Sequence, residues 1–352
     1  LDANTTASYN TAFGYRAVSA NITGVENVGV GVDALLLTTG SRNVGLGSYT
    51  LTANTSANDN TGVGNYALMA NTTGNDNVAV GAASQLVSTT ATRNTSLGMD
   101  TLRACTTGSY NTALGQRALY ASTTGTENCI IGYVAGDQIT TGSYNAAIGV
   151  NSLGVCTTGH YNTAIGIQAG FAVTSGQNNT FVGHDAGIAG SPGGAITDEN
   201  NQLIVCDENI TNAHCQVDWT IASDQRDKTD FTALDLGLDF VKDLNPITYK
   251  WDKRSKYGDK YAEDYDLNAQ TPDGTHKEDW LDIGFKAQEV EALEIAAGYN
   301  KSNKTNLTTT LSGDGKQYGI QYSKFVPILV KAIQEQQTLI ESLTARITTL
   351  EG

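Results

Sequence analysis

The sequence predicts a mainly β fold: a repeat β-solenoid or β-roll rod with a 17-residue period, followed by an α+β domain that ends in a long coiled-coil helix. Three observations support this prediction. A five-residue phrase recurs through the first half, charged residues and helix formers become more frequent after about residue 222, and apolar residues recur at heptad spacing near the C-terminus. A chain of 352 residues is long enough for two or more folding units.

The recurring phrase begins with Asn and has Gly in its fifth position. Eleven copies run from NTAFG at Asn10 to NTFVG at Asn179, with nine steps of 17 residues and one of 16. A fixed period of this length indicates a solenoid. The fourth position is apolar, as at Phe13 and Val182, and is expected to form a thin core. Stacking is expected to align the asparagines and glycines in structural columns, for example Asn10, Gly14, Asn111, Gly115, Asn162 and Gly166.

The repeats resemble the left-handed β-roll heads of trimeric autotransporter adhesins, which also stack short coils of this type. Those adhesins have a different period and a membrane anchor, so the resemblance implies the architecture alone. A thin core would gain from oligomerisation. The chain opens in mid-phrase at LDANTTASYN, from which we expect a preceding segment.

After residue 183 the period is lost. Gly, Pro and Ser gather between residues 184 and 200, which indicates a linker or capping turn. NQLIVCDENI and CQVDWTIASD then predict two strands around a turn. The predicted domains are a rod at 1–183, a linker and β neck at 184–222, and a C-terminal domain at 223–352.

Charge and composition exclude several functions. A net charge of −15 disfavours nucleic acid and anionic membranes as partners, and no apolar run is long enough to insert into a bilayer. The five cysteines form no C-x-x-C pair and suggest small buried thiols, with a crosslink between Cys206 and Cys215 left open. The four histidines show no ligand spacing, so neither a metal nor a cofactor is predicted.

The second half reads as alternating short helices and strands. DLGLDFVKDLNPITYKW predicts a helix that stops near Pro246 and then a strand, and DIGFKAQEVEAL predicts a strand that runs into a helix. A coiled coil is predicted at 324–351. Isoleucine at a with leucine at d favours two strands in parallel coils, and Gln336 is either a register device or a tolerated defect. The heptad places Val326, Ile333, Ile340 and Ile347 at a, and Leu329, Gln336, Leu343 and Leu350 at d.

The phrases SDQRDK, LNPITYKW, GFKAQEVE and YSKFVPILVKAIQEQQ together resemble the endosialidase-type intramolecular chaperone, a C-terminal module of phage tail spikes and fibres. The resemblance implies a trimeric chaperone that assembles a β-rich fibre and then cuts itself off at its N-terminal border. It implies Ser223 as nucleophile and Lys228 as base, with the bond between Ala222 and Ser223 as the scissile one. Asp224 and Arg226 match the other polar positions of the motif.

The expected chemistry sets a condition on Lys228. A serine hydroxyl attacks efficiently only when a base takes its proton, and a lysine can do so only in its neutral form, which burial and nearby positive charge such as Arg226 favour. Asp227 stands where an apolar residue is expected, and a carboxylate there would stabilise the ammonium form. Asp227 is therefore expected to restrain the self-cleavage that the resemblance implies, and no turnover enzyme is predicted.

The leading hypothesis is a homotrimeric phage tail fibre or spike protein that binds a host receptor or glycan. It would be made in the host cytoplasm, join upstream tail proteins in the virion and become extracellular on release. One alternative is a polysaccharide depolymerase, which would need paired carboxylates among the repeat acids. A second is a cell-surface adhesin head, which would need a membrane anchor. The repeat acids in question are Asp33, Asp59, Asp76, Asp100, Asp137 and Asp185.

Overall fold

The computed structural model describes residues 2–216, 219–262, 264–302 and 305–352. The chain divides into two compact units, residues 1–209 and 210–352. Among the described helices, none is long and apolar enough to cross a membrane.

The first unit is a β-solenoid whose twelve short strands form one sheet in chain order. Each strand pairs in parallel with the next, so that Thr112 lies opposite Cys129 and Leu114 opposite Ile131. This arrangement confirms the predicted fold class. The strands β1 to β12 are Thr11–Phe13, Val28–Val30, Val44–Leu46, Thr61–Val63, Val78–Val80, Thr95–Leu97, Thr112–Leu114, Cys129–Ile131, Ala146–Ile148, Thr163–Ile165, Thr180–Val182 and Leu203–Val205.

The asparagine column joins each coil to the next. The Oδ1 atom of Asn94 accepts a hydrogen bond from the backbone N–H of Asn111 at 2.8 Å, and the side-chain amide of Asn111 donates to the carbonyl of Gly125 at 2.9 Å. The column is buried from Asn27 to Asn179. Each asparagine thus pairs backbone groups that would otherwise be buried without partners.

The fifth-position glycines are required by close approach between coils. Gly115 has a φ of +123°, and a Cβ added there would lie 2.5 Å from the carbonyl oxygen of Gly132. No other residue fits a backbone that is both left-handed and this close to its neighbour. The asparagines thus bond adjacent coils to each other, and the glycines allow those coils to approach closely.

The predicted core position is wrong by one residue. The fourth residue of the phrase points outward, and Phe13 and Ile165 are 76% and 45% exposed, whereas the third-position residues Ile130 and Phe181 are fully buried. Successive side chains of a strand point to opposite faces, so only one of these two columns can face the interior. The inside column is alanine in several coils, as at Ala113 and Ala147, and a larger residue at Ile130 and Phe181. The leucines that complete the core come from the following turn: Leu35, Leu51, Leu68, Leu102, Leu119 and Leu153.

Residue sizes are matched across the core. Where the strand carries a large residue, the leucine column carries glycine: a Cβ on Gly170 would lie 2.8 Å from the Phe181 ring, and one on Gly136 would lie 3.3 Å from Ile130. Ile130 and Phe181 occupy the space that leucine fills in other coils. The interior is thus filled to a constant volume by different residues, as close packing demands.

The last coil differs from the prediction of a β neck. β12 is the twelfth strand of the solenoid sheet, and Gln202 takes the asparagine position by donating its backbone N–H to Oδ1 of Asn179 at 2.9 Å. The segment between residues 184 and 200 is an insertion inside this coil. The second predicted neck strand is absent from residues 211–216 and 219–222, and Val217 and Asp218 lie outside the described residues. β12 pairs in parallel with β11 at the edge of the solenoid sheet, and does not form the predicted hairpin with the segment that follows it.

All five cysteines are free thiols. Burial raises the pKa of Cys105 to about 12 and that of Cys156 to about 11. The buried-thiol interpretation holds for these two, whereas Cys129 and Cys215 are exposed.

The second unit contains helices α1 (Leu238–Asp243), α2 (Ala287–Ala296) and α3 (Phe325–Glu351). The strands β13 (Ile247–Tyr249) and β14 (Asp282–Gly284) pair antiparallel, as do β15 (Thr309–Leu311) and β16 (Tyr318–Ile320). The order of α1, β13, β14, α2 and α3 confirms the sequence-based elements. Short 3-10 turns lie at Gln225–Asp227, Arg254–Lys256, Leu267–Ala269 and Tyr322–Lys324.

A small core holds the start of α3 against the rest of this unit. Phe240, Val290, Phe325 and Ile328 are buried together. Glu335, on α3, accepts the backbone N–H of Leu238 at 2.7 Å at the N-terminal end of α1, and this hydrogen bond is the main cause of the lowered pKa of Glu335. The first turns of α3 are therefore part of the unit's own packing.

One polar residue interrupts the solenoid core. Gln85 is fully buried in the column that leucine fills in neighbouring coils, and its Oε1 atom has no hydrogen-bond partner among the described residues. Its amide nitrogen donates to Ser96 Oγ at 2.9 Å and to the carbonyl of Val78 at 3.1 Å. The apolar core is consequently divided into one cluster on either side of this layer.

We expect Gln85→Leu to stabilise the rod. The change removes a buried oxygen without a partner and joins the two apolar clusters, which is expected to add about 1 kcal/mol to the free energy of unfolding. Guanidinium unfolding of the full chain measures the effect. Leu102→Gln is the matched control and should lower stability, because it adds a second polar layer. A Gln85→Leu variant less stable than wild type would show that the polar layer is a net stabilising feature.

Candidate functional site

The candidate catalytic pair lies on a short turn in the second unit. Asp224 caps the 3-10 turn Gln225–Asp227 by accepting the backbone N–H of Arg226 at 2.9 Å, and the N–H of Lys228 closes the turn on the carbonyl of Gln225 at 3.2 Å. The turn folds the chain back on itself. The Lys228 side chain thereby reaches Ser223, with 2.5 Å between Nζ and Oγ and 3.3 Å between Nζ and the Ser223 carbonyl oxygen.

Asp224 and Arg226 form an ion pair beside this contact. The guanidinium donates to Asp224 Oδ2 at 2.6 Å through Nη2, and Nε also donates to the carboxylate. These hydrogen bonds lower the pKa of Asp224 and raise that of Arg226. Because Arg226 is held by Asp224, the geometry gives it a role in shaping the turn, which differs from the expected role of a positive charge that acts on Lys228.

The site is open to solvent within one chain. Every residue from Trp219 to Ala233 is exposed. Water stabilises the ammonium form of a lysine, whereas a base must be neutral. The reactive contact is therefore present in the single chain, but the burial that would activate Lys228 is not.

Five of the six repeat acids lie within 3.6 Å of an arginine nitrogen, so their contacts give no support to the depolymerase alternative, which needs paired carboxylates. The sixth, Asp185, is buried and lies 3.3 Å from His184 Nδ1, which also faces Asp207. The pairs are Arg16–Asp33, Arg42–Asp59, Arg93–Asp76, Arg103–Asp100, Arg117–Asp137 and His184–Asp185.

An apolar ridge runs along the solenoid on both sides of the glycine column. It consists of the exposed fourth-position residues and of the exposed residues that follow each glycine. Contiguous apolar surface of this kind marks an interaction site. The apolar ridge comprises Phe13, Leu46, Leu97, Ile148, Ile165, Val182 and Val205, with Tyr15, Val32, Met99, Tyr133, Val150 and Ile167.

One group of side chains in the described residues has the composition of a metal site. His184, Asp185 and Asp207 each offer a donor atom, and these atoms lie within 4.8 Å of one another. No sequence pattern points to this group, because its residues lie on two coils and the 23-residue step between those coils departs from the regular period.

Comparison with known proteins gives one result for the second unit. Residues 223–299 match the family model described as chaperone of endosialidase. Searches of the curated proteins and of the solved structures return no significant match. The family match begins at Ser223 and ends before α3. The chain therefore combines a β-solenoid with a segment that matches the chaperone-of-endosialidase model from Ser223 onward.

Proposed function

We propose that the chain is one subunit of a homotrimeric phage tail fibre or spike. The rod serves in host attachment through a receptor or glycan, and the C-terminal domain drives trimerisation and folding. The observation that carries this proposal is the order of the two parts, a solenoid followed by a chaperone-of-endosialidase domain. Assembly in the host cytoplasm, attachment to upstream tail proteins in the virion and extracellular release belong to the same proposal.

The apolar ridge supports association of the rods. Its side chains occupy equivalent positions on most of the coils, so two ridges can meet in one register. Full burial of a large apolar side chain contributes about 1.5–3 kcal/mol, and the half-exposed members contribute less. Repeated levels of contact would make an interface more apolar than an ordinary protein surface, as in obligate oligomers.

The C-terminal helix supports association at the other end of the chain. The stripe on α3 remains exposed, with Ile333 64%, Ile340 49% and Leu343 54% accessible. The first turns of α3 pack within the unit, whereas no described residue of the stripe beyond Ala332 belongs to the unit's buried apolar cluster. Parallel packing of three such helices covers the stripe and brings three chains into register.

Association of the C-terminal helices would also speed the assembly of the rods. Inter-chain pairing of long rods is slow, because the ends must meet before contacts form. A helical clamp at the C-terminus raises the effective concentration of the rods for one another. This order of events, clamp first and rod second, is the proposed chaperone function.

Self-cleavage is the second part of the proposal. Lys228 Nζ takes the proton from Ser223 Oγ, which attacks the carbonyl carbon of Ala222. The bond from that carbon to the Ser223 nitrogen breaks, the nitrogen takes a proton, and Ala222 is left joined to Oγ as an ester. Water then hydrolyses the ester, giving a carboxylate on Ala222 and a free amine on Ser223.

Because Ser223 and Lys228 are exposed in the single chain, cleavage would depend on assembly of the subunits. Because no described residue of the same chain buries Lys228, the neutral base requires a surface from another subunit. Cleavage would then follow assembly and never precede it. Release of the chaperone leaves the rod trimer kinetically trapped, since its unfolding must break many contacts at once.

We expect the full chain to be a trimer with a mass near three times 37.1 kDa by light scattering. Ile148→Glu combined with Ile165→Glu should dissociate the rods, because it places charges in the apolar ridge. Thr158→Glu is the matched control on an exposed turn of the same region and should remain trimeric. A wild-type mass near two chains would instead support the two-stranded preference of the heptad.

We expect wild type to release residues 1–222 from 223–352, as detected by intact mass after purification. Ser223→Ala and Lys228→Ala should slow this cleavage by at least about 1000-fold while leaving a trimer, because each removes a reacting group. Asp227→Leu should speed it by removing a carboxylate beside the base.

Ser323→Ala is the control for loss of an exposed serine in the same domain. Cleavage of Ser223→Ala at the same bond would assign the cut to an outside protease. A wild-type trimer that stays whole would make the chaperone a permanent cap.

A further inference from the structure

We infer that the last coil of the rod binds a divalent transition-metal ion, of which Zn²⁺ is the representative, through His184 Nδ1 and one carboxylate oxygen each of Asp185 and Asp207. This site is separate from the chaperone domain. It does not depend on the proposed function of the chain.

The donor spacing agrees with a tetrahedral ion. Nδ1 of His184 lies 3.3 Å from Asp185 Oδ2 and 3.5 Å from Asp207 Oδ2. Ligands about 2.0–2.1 Å from Zn²⁺ at tetrahedral angles are separated by about 3.4 Å. Two of the three donor–donor distances therefore already match edges of a tetrahedron, and the two carboxylate oxygens lie within 4.8 Å of each other. The fourth corner is left for water.

The solenoid positions these donors on rigid backbone. Val182 pairs with Val205, so the residues two positions beyond each, His184 and Asp207, occupy equivalent places on adjacent coils. The N–H of Asp185 donates to the carbonyl of Ile167 at 3.0 Å, which holds this residue to the preceding coil. Sites built on regular elements of this kind hold their ligands in place without a large ordering cost.

Burial of the acids favours a cation at this point. The side chains of Asp185 and Asp207 are 0% and 7% exposed, and both face the same imidazole nitrogen. Asn209 donates to Asp207 through its backbone N–H at 2.9 Å and its side-chain amide at 2.6 Å, which holds this carboxylate in place. Two carboxylates that face one imidazole repel each other, and a divalent ion would offset this repulsion.

The ligand types select among ions. An imidazole donor combined with carboxylates suits Zn²⁺ and its neighbours in the first transition row, whereas Ca²⁺ and Mg²⁺ take oxygen ligands alone. The His184 side chain is 52% exposed, so an ion can enter from solvent. A bound ion would join the eleventh coil to the twelfth and hold the terminal strand in the sheet.

The test is a Zn²⁺ titration of the full chain, prepared without a histidine tag and dialysed against a chelator, by isothermal calorimetry. We expect one ion per chain and a higher thermal midpoint with Zn²⁺ than with the chelator. His184→Ile and Asp207→Asn should each weaken binding at least tenfold and abolish the thermal shift. Isoleucine is suited to the position because Ile167 holds the same place one coil earlier.

The matched control is His160→Asn, because His160 Nδ1 accepts the N–H of Ser143, as Asn58 Oδ1 does for Ser41. This variant should bind Zn²⁺ as wild type does. Ca²⁺ at the same concentration should give no heat. Absence of Zn²⁺ binding by wild type would overturn the inference, as would equal binding by His184→Ile, which would assign the ion to other residues.

Discussion

The hydrogen bonds of the asparagine column are the constraint on which the rod depends. A narrow coil has too few apolar side chains to hold its neighbours by packing alone, so backbone pairing must be complete at every level. The single 16-residue step shows how strongly this is enforced. The backbone N–H of Asn43 still donates to Oδ1 of Asn27 at 2.9 Å, although the step between these two asparagines is one residue shorter than the others. The loss of one residue is absorbed in the turn, and the hydrogen bonds of the asparagine column are kept.

Periodicity made most of the rod predictable. The strands, the turns and the structural roles of Asn and Gly follow from a repeat that allows one register. The direction of the side chains does not, because a three-residue strand offers two faces and the period is the same for both. Ile130 and Phe181 fit inside because Gly136 and Gly170 leave room for them, and the sequence alone does not show that these residues meet. Such compensation between distant residues is visible only after the coils are stacked.

The candidate sites show the same division between local and distant information. The pairing of Ser223 with Lys228 was predicted from the family resemblance, and one turn closes the five-residue separation between them. The resemblance could not show that Asp224 would hold Arg226. The group of His184 and Asp207 was out of reach, since an irregular insertion lies between its members. Local turns can be predicted from the sequence, whereas contacts supplied by another coil or another subunit cannot.

Size matching in the core also bears on how such a rod can change its length. Each coil bonds only to its neighbours, so a unit with the standard leucine and small strand residue can in principle be duplicated or lost as a module. The coils around Phe181 are different, because Gly170 and Gly187 both make space for that one ring. Phe181, Gly170 and Gly187 therefore have to be kept together when coils are exchanged. Recombination within the rod is thus expected to be tolerated among coils with the standard leucine, as at Leu51, Leu68, Leu102 and Leu119, and penalised at the Gln85 layer and near the C-terminal end.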